Sequence, residues 1–213
     1  METIMQLMPS MMDGLKTTLI LSVITLLLSL PLSVIIALLR IHALKPIRLI
    51  VSLYIYVMRG TPLLLQLMFI FFGLPYMNIV LERETAAALA FVLNYTAYFA
   101  EIVRGGLQSI DKGQYEAAKI LGMSKKNTFF KIILPQVIKN ILPAMGNETI
   151  TLIKDTSLVY ILGLGDLLRA GKIAANTMSS MIPFMLVGII YLVVIAALTK
   201  TFVQLEKRFS YYE

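Results

Sequence analysis

The sequence predicts an all-α integral membrane protein with five transmembrane helices, its N-terminus outside and its C-terminus in the cytoplasm. Three observations carry this. Of 213 residues, 58% are hydrophobic and only 15% charged, whereas a soluble domain is roughly one-quarter charged. Several apolar runs reach the ~20 residues needed to cross a bilayer core. The basic residues are also divided unevenly between the segments that join those runs.

Residues 15–39 form the first run. It is too long, too far from the start and too poorly preceded by basic residues for a cleaved signal peptide, so it is expected to be a permanent span. Pro31 lies inside it and removes one helix hydrogen bond, which predicts a kink. A basic connector follows, with Arg40, Lys45 and Arg48 around His42. The second unit, residues 47–74, is longer than one straight crossing and is interrupted by Arg59-Gly60-Thr61-Pro62. Thr61 is a good N-cap and Pro62 a good first helical residue. The unit is either a broken helix or an interfacial helix followed by a span. Span three covers 86–103, span four 141–164 and span five 183–203. The polar connector 166–182 has room for a short amphipathic helix.

Five spans place the termini on opposite sides, and the positive-inside rule sets the direction. One set of connecting segments holds Arg40, Lys45, Arg48, Arg104, Lys112, Lys119, Lys125, Lys126, Lys131, Lys139, Lys200, Lys207 and Arg208; the other holds only Lys16, Arg83, Arg169 and Lys172. The net charge of +7 is therefore read as topology, not as a nucleic-acid surface. Without cysteine and with one histidine, the chain has no thiolate nucleophile, disulfide or multi-imidazole metal site. It shows no internal repeat of the kind many secondary transporters carry.

The loop 104–140, between spans three and four, is the one sizeable polar segment. Asp111 and Gln114 fit a capping box that starts a helix near Lys112. Gly122 suits its C-terminal end. Ser124 can cap a second short helix, and Pro135 either ends that helix or starts the next. Ala117 and Ala118 offer a small-residue face for close approach by another protein, beside Glu116. A well-capped loop with no partner fits the same residues.

The residues Glu116, Ala117, Ala118, Gly122, Ile132, Leu134 and Pro135 resemble, in type and spacing, the EAA loop of ABC-type import permeases. RGTPLLLQ, NYTAYFAEIVRGGLQSID and LPAMGNETITLIKDTSL are similar to the permeases of polar amino acid importers. The resemblance covers residues 14–208, with the cytoplasmic loop 104–140 inside them. It implies that Glu116, Ala117, Ala118 and Gly122 dock on an ATP-binding cassette subunit. It also implies a pair of such ATPases, a second permease subunit (identical or not) and an extracellular or periplasmic substrate-binding protein, in a bacterial cytoplasmic membrane. The chain lacks a GxxxxGK[ST] phosphate loop. No cofactor is therefore expected here, and ATP and Mg belong to the partner ATPase.

Ionisable groups at membrane depth cost at least about 2.5–3.5 kcal/mol each and so mark function. On span four, Glu148, Thr151 and Asp155 share a helical face, with Lys154 beside them and Thr156 next in sequence; on span three, Asn94, Tyr98 and Glu101 form a second stripe. Two such stripes can line a substrate path. Glu148 and Asp155 are acceptors for an ammonium; Lys154, Asn94 or Thr156 are donors for a carboxylate. Glu101 and Arg104 alternatively pair at the cytoplasmic lip, and Arg59 is expected as an anchor or packing charge. An alternative function is a gradient-driven transporter or channel in which Glu148, Lys154 and Asp155 relay ions.

Overall fold

The structure is a computed structural model describing residues 2–209, and every regular element in them is helical. Helix α1 spans Glu2–His42 and runs unbroken through Pro9 and Pro31. Helix α2 spans Lys45–Gly60 and α3 spans Leu63–Met68. The chain then widens into a π turn at Phe69–Gly73 and tightens into a 3-10 turn at Leu74–Met77. Helix α4 spans Arg83–Gln108. The loop holds α5, Lys112–Ile120, and α6, Lys125–Thr128. A π turn at Phe129–Ile133 leads into α7, Leu134–Asp155, which ends in a 3-10 turn at Thr156–Leu162. Helices α8, Leu167–Met178, and α9, Ile182–Phe209, complete the fold.

Helix α4 is the centre, with α1, α2, α3 and α7 packed on it. Beside the aromatic rings of Phe91, Tyr95 and Phe99, its buried residues include a set of small ones: Ala86, Ala87, Ala90, Ala97, Ala100 and Gly106. Membrane helices gain little from apolar burial against one another, so close backbone approach over small residues is what holds them. Helix α1 answers with a buried stripe at helical spacing, Thr18, Ser22, Thr25, Ser29, Ser33 and Ala37. Ser22 Oγ donates to Thr18 O and Thr25 Oγ1 to Leu21 O, both at 2.8 Å. Bonding back to their own helix satisfies these two hydroxyls, whereas Ser29 Oγ is buried with no hydrogen-bond partner among the described residues. The apolar core between α1, α3, α4 and the 3-10 turn includes Leu21, Leu67, Phe91, Phe99 and Val159.

The second unit is a broken element: α2 and the α3 segment meet at 106°. Thr61 is not the N-cap of α3. That position belongs to Pro62, and Thr61 Oγ1 instead donates to Val57 O at 2.8 Å. Proline needs no capping donor of its own, and the hydroxyl satisfies a carbonyl freed at the end of α2. Pro135 starts a helix, the second of the two expected alternatives: it stands in the first turn of α7, which begins at Leu134. Its ring would clash with the carbonyl four residues back, and the preceding π turn accommodates it, with Leu134 N donating to Phe129 O. The polar connector forms α8 as expected, with Asp166 accepting from Leu168 N at 2.9 Å and Arg169 N at 3.3 Å. Burial pushes the Asp166 carboxyl up, against those backbone donors.

Three helices, α1, α4 and α9, are long and apolar enough to cross a membrane, and the bent α2–α3 pair makes a fourth if counted as one span. Helix α7 is not among them, because Lys139, Asn140, Asn147, Glu148, Lys154 and Asp155 dilute its apolar character. What makes α7 poor in hydropathy is the polar stripe that makes it a functional candidate.

A Cβ at Gly106 would come within 2.1 Å of Ile141 Cγ2, whereas one at Gly105 meets nothing within 4 Å. Gly106→Val is expected to destabilise the purified protein by about 1–3 kcal/mol through overpacking at the α4–α7 contact. Gly105→Ala is expected to leave its thermal unfolding midpoint in place.

Candidate functional site

Glu101 lies on α4 with a side chain only 12% exposed. A carboxylate so placed requires cations, and three helices supply them. Arg40, near the end of α1, bonds Glu101 Oε1. Arg104, one turn on along α4, donates from Nε to Oε1 at 3.0 Å and from Nη2 to Oε2 at 2.8 Å. Arg59, at the end of α2, stands 3.7 Å from Oε2 with its guanidinium 5.1 Å over the Tyr98 ring. The expected Glu101–Arg104 pair is present, within a larger cluster. Glu101, Arg40, Arg59 and Tyr98 line an open cleft of about 390 Å³ with Ser52 and Tyr56.

Asn94 sits at the α2–α3 break. It is buried, and its Nδ2 donates to Met58 O and to Gln66 Oε1, both at 3.0 Å. Gln66 in turn donates to Met58 O, Thr61 O and Thr61 Oγ1. The two amides satisfy carbonyls that the 106° bend leaves without helical partners. With Asn94's amide donors engaged in this way, its role as a carboxylate donor does not hold in this conformation. Gln66 belongs to the site and was missed by sequence reasoning; its signal was an amide inside the run LLLQLM.

The second stripe is brought beside the first through Tyr95. This ring is 1% exposed, stacks 6.1 Å from Phe91, and donates from its hydroxyl to Asp155 Oδ2 at 2.8 Å. Tyr98 follows at 6.3 Å. Glu148 is half-buried two turns before Asp155 on the same face of α7 and interacts electrostatically with both Asp155 and Arg59. Lys154 is exposed and offsets Asp155. Thr156 is fully buried and donates to Ile153 O at 2.7 Å, so its hydroxyl is not presented to a ligand.

The loop between α4 and α7 is locally determined. Asp111 caps α5, accepting from Gly113 N at 2.6 Å. Gln114 does not complete the box: its Oε1 accepts from Gln136 Nε2 of α7 at 3.3 Å, a tertiary partner displacing the local one. At the other end, Met123 N donates to Ala118 O and Gly122 N to Lys119 O, the paired bonds of a Schellman motif. Gly122 adopts φ +69°, which glycine accepts without strain. Ser124 caps α6 by accepting from Asn127 N. Glu116, Ala117 and Gly122 are exposed. Ala118 is buried at 1%, so the expected two-alanine face is only half outward. Ile120 and Leu121 are instead strongly exposed, at 86% and 76%, a large apolar tip on a polar loop. Beneath it, Ile110, Ile133 and Val137 pack as a small core, and Asn140 Nδ2 donates to Ser109 Oγ at 3.0 Å.

Residues 29–211 match the model of the family described as the binding-protein-dependent transport system inner membrane component. The chain belongs to that family. This transport component is 41% identical over 193 residues to the arginine transport system permease protein ArtQ of Bacillus subtilis (strain 168), covering 90% of this chain and 88% of that one. It is 34% identical over 206 residues to the L-cystine transport system permease protein TcyB of the same organism, covering 96% and 88%. A crystal structure of an amino acid ABC transporter with histidines matches with a TM-score of 0.89 and 37% identity over 96% of each chain. An inward-facing MetNI methionine ABC transporter matches with a TM-score of 0.72 over 99% of each chain, at 19% identity, and shares the fold.

In this inner membrane component the charge cluster ties α1, α2 and α4 together. Glu101→Gln leaves three guanidiniums without their anion and is expected to cost about 3 kcal/mol. Arg59→Gln removes the longest and most exposed contact and is expected to cost under about 1 kcal/mol. Thermal unfolding of the two purified variants measures the difference.

Proposed function

We propose that this chain is the membrane subunit of an ATP-driven importer of amino acids. It would work as one of two permease subunits with a pair of ATP-binding cassette subunits and an external substrate-binding protein. The carrying observation is the loop: a short helix capped at both ends and exposed along Glu116 and Ala117, resting on α4 and α7. Closure of the ATPase pair would push on Glu116, Ala117, Ala118 and Gly122, with Ile120 and Leu121 seated in a groove of the partner. The contacts below α5 pass that displacement to the two helices bearing Tyr98, Glu101, Glu148, Lys154 and Asp155. Those residues would line the path, with Asn94 and Thr156 supporting it from behind. Amino acid cargo is supported by the relatives, whose names specify arginine, cystine and glutamine.

In this reading α1, the α2–α3 unit, α4, α7 with its 3-10 turn, and α9 are five spans, and the loop faces the cytoplasm. The basic residues concentrated in the segments around Arg48, Lys126 and Lys207 support that direction.

Glu116→Lys is expected to reduce amino acid uptake in proteoliposomes to background and to abolish co-purification of the ATPase, while the subunit still inserts. Normal uptake in that variant would remove the coupling role. Flux from the purified chain under a gradient, without any ATPase, would favour the ion-relay alternative. The absence of cysteine allows a clean topology test. A membrane-impermeant maleimide applied to intact cells should label Glu82→Cys and spare Lys126→Cys, and the reverse pattern would invert the orientation.

A further inference from the structure

A zwitterionic cargo needs a cation for its carboxylate as well as anions for its ammonium, and the donors expected from the sequence are largely engaged. The amide donors of Asn94 hold the α2–α3 break, Thr156 is buried on Ile153 O, and Lys154 offsets its neighbour Asp155. Arg59 is placed differently. Both oxygens of Glu101 are already bonded by Arg40 and Arg104. Arg59 stands 3.7 Å away, beyond hydrogen-bonding distance, with its side chain 44% exposed. It is the surplus cation of a cluster with three guanidiniums and one carboxylate. Its guanidinium carbon lies 5.1 Å from the centre of the Tyr98 ring in the cleft lined by Ser52 and Tyr56, and its charge also acts on Glu148.

We infer that Arg59 is a specificity-determining residue that receives the α-carboxylate of the transported amino acid, opposite the Glu148–Asp155 pair. A guanidinium edge presents two parallel N–H donors to a carboxylate. The Tyr98 ring holds that guanidinium in the cleft, and Arg40 and Arg104 keep Glu101 from capturing it. The inference rests on the amino acid importer reading.

The test measures binding to the permease–ATPase complex in nanodiscs, without the binding protein. Radiolabelled L-arginine, L-glutamine and L-cystine are each compared with the corresponding decarboxylated amine, agmatine in the case of arginine. The wild-type complex is expected to bind at least one of the three about 10-fold or more tighter than its amine. Arg59→Gln should bring that ratio close to one without weakening amine binding, and Arg59→Lys should fall between. Binding of none of the three by the wild type would overturn the importer reading itself. Binding without preference for the carboxylate, or a preference that survives in Arg59→Gln, would overturn the role of Arg59 alone. Should Arg59→Gln fail to assemble, the Arg59→Lys ratio decides: a reduced ratio supports the assignment and an unchanged one overturns it.

Discussion

The structure turns on one carboxylate. Glu101 is held away from water on the central helix, where an unpaired charge is strongly destabilising. Its neutralisation recruits arginines from the ends of α1 and α2 and from its own helix. Three elements distant in sequence are thereby fixed at one level of the fold. Between α2, which ends with Arg59 near Glu101, and α3 the chain turns by 106° to run along α4. Carbonyls exposed by that turn are satisfied by Gln66 and Asn94. The two polar clusters, one ionic and one amide, lie on either side of the break.

The second constraint is how α5 is seated. Its caps define a short helix tied to α7 by the Gln114–Gln136 hydrogen bond, and Asn140 of α7 is bonded in turn to Ser109 at the end of α4. Helix α6, the π turn and α7 continue without interruption past Pro135. Gly106 removes the side chain that would separate α4 from Ile141 of α7. The Tyr95–Asp155 hydrogen bond joins that same pair further along, so both ends of the α4–α7 contact are tied by specific groups.

Much of this was legible because it is local. The cap at Asp111, the left-handed Gly122, the Ser124 cap and the amphipathic α8 each follow from a few neighbouring residues. The misses are tertiary. Gln114 turned from its own helix to Gln136, and Thr61 closed α2 instead of opening α3. Ala118 was buried by packing that spacing cannot reveal. Pro135 does mark the start of α7, but the π turn before it leaves no mark in composition. The Thr18–Ala37 stripe of α1 was visible as small residues at helical spacing within a leucine-rich run, but hydropathy averages it away. At the candidate site, the Glu101–Arg104 pair was readable as a helical neighbour; Arg40 and Arg59, 61 and 42 residues distant in the sequence, were not.

The polar residues of α4 and α7 sort by what engages them. Asn94 and Thr156 are consumed by the architecture, since each has its donors bonded to backbone or a neighbouring amide. Asp155 is half engaged, receiving one hydroxyl while its other oxygen is unbonded among the described residues. Glu148 and Arg59 have electrostatic partners but no direct hydrogen bond there. A group already saturated within the fold has nothing to exchange with a passing ligand, whereas a charged group held by field alone gains by meeting one. The residues with engaged donors therefore belong to the packing of the helices, and the charged ones, of both signs, are those left with capacity for a further partner.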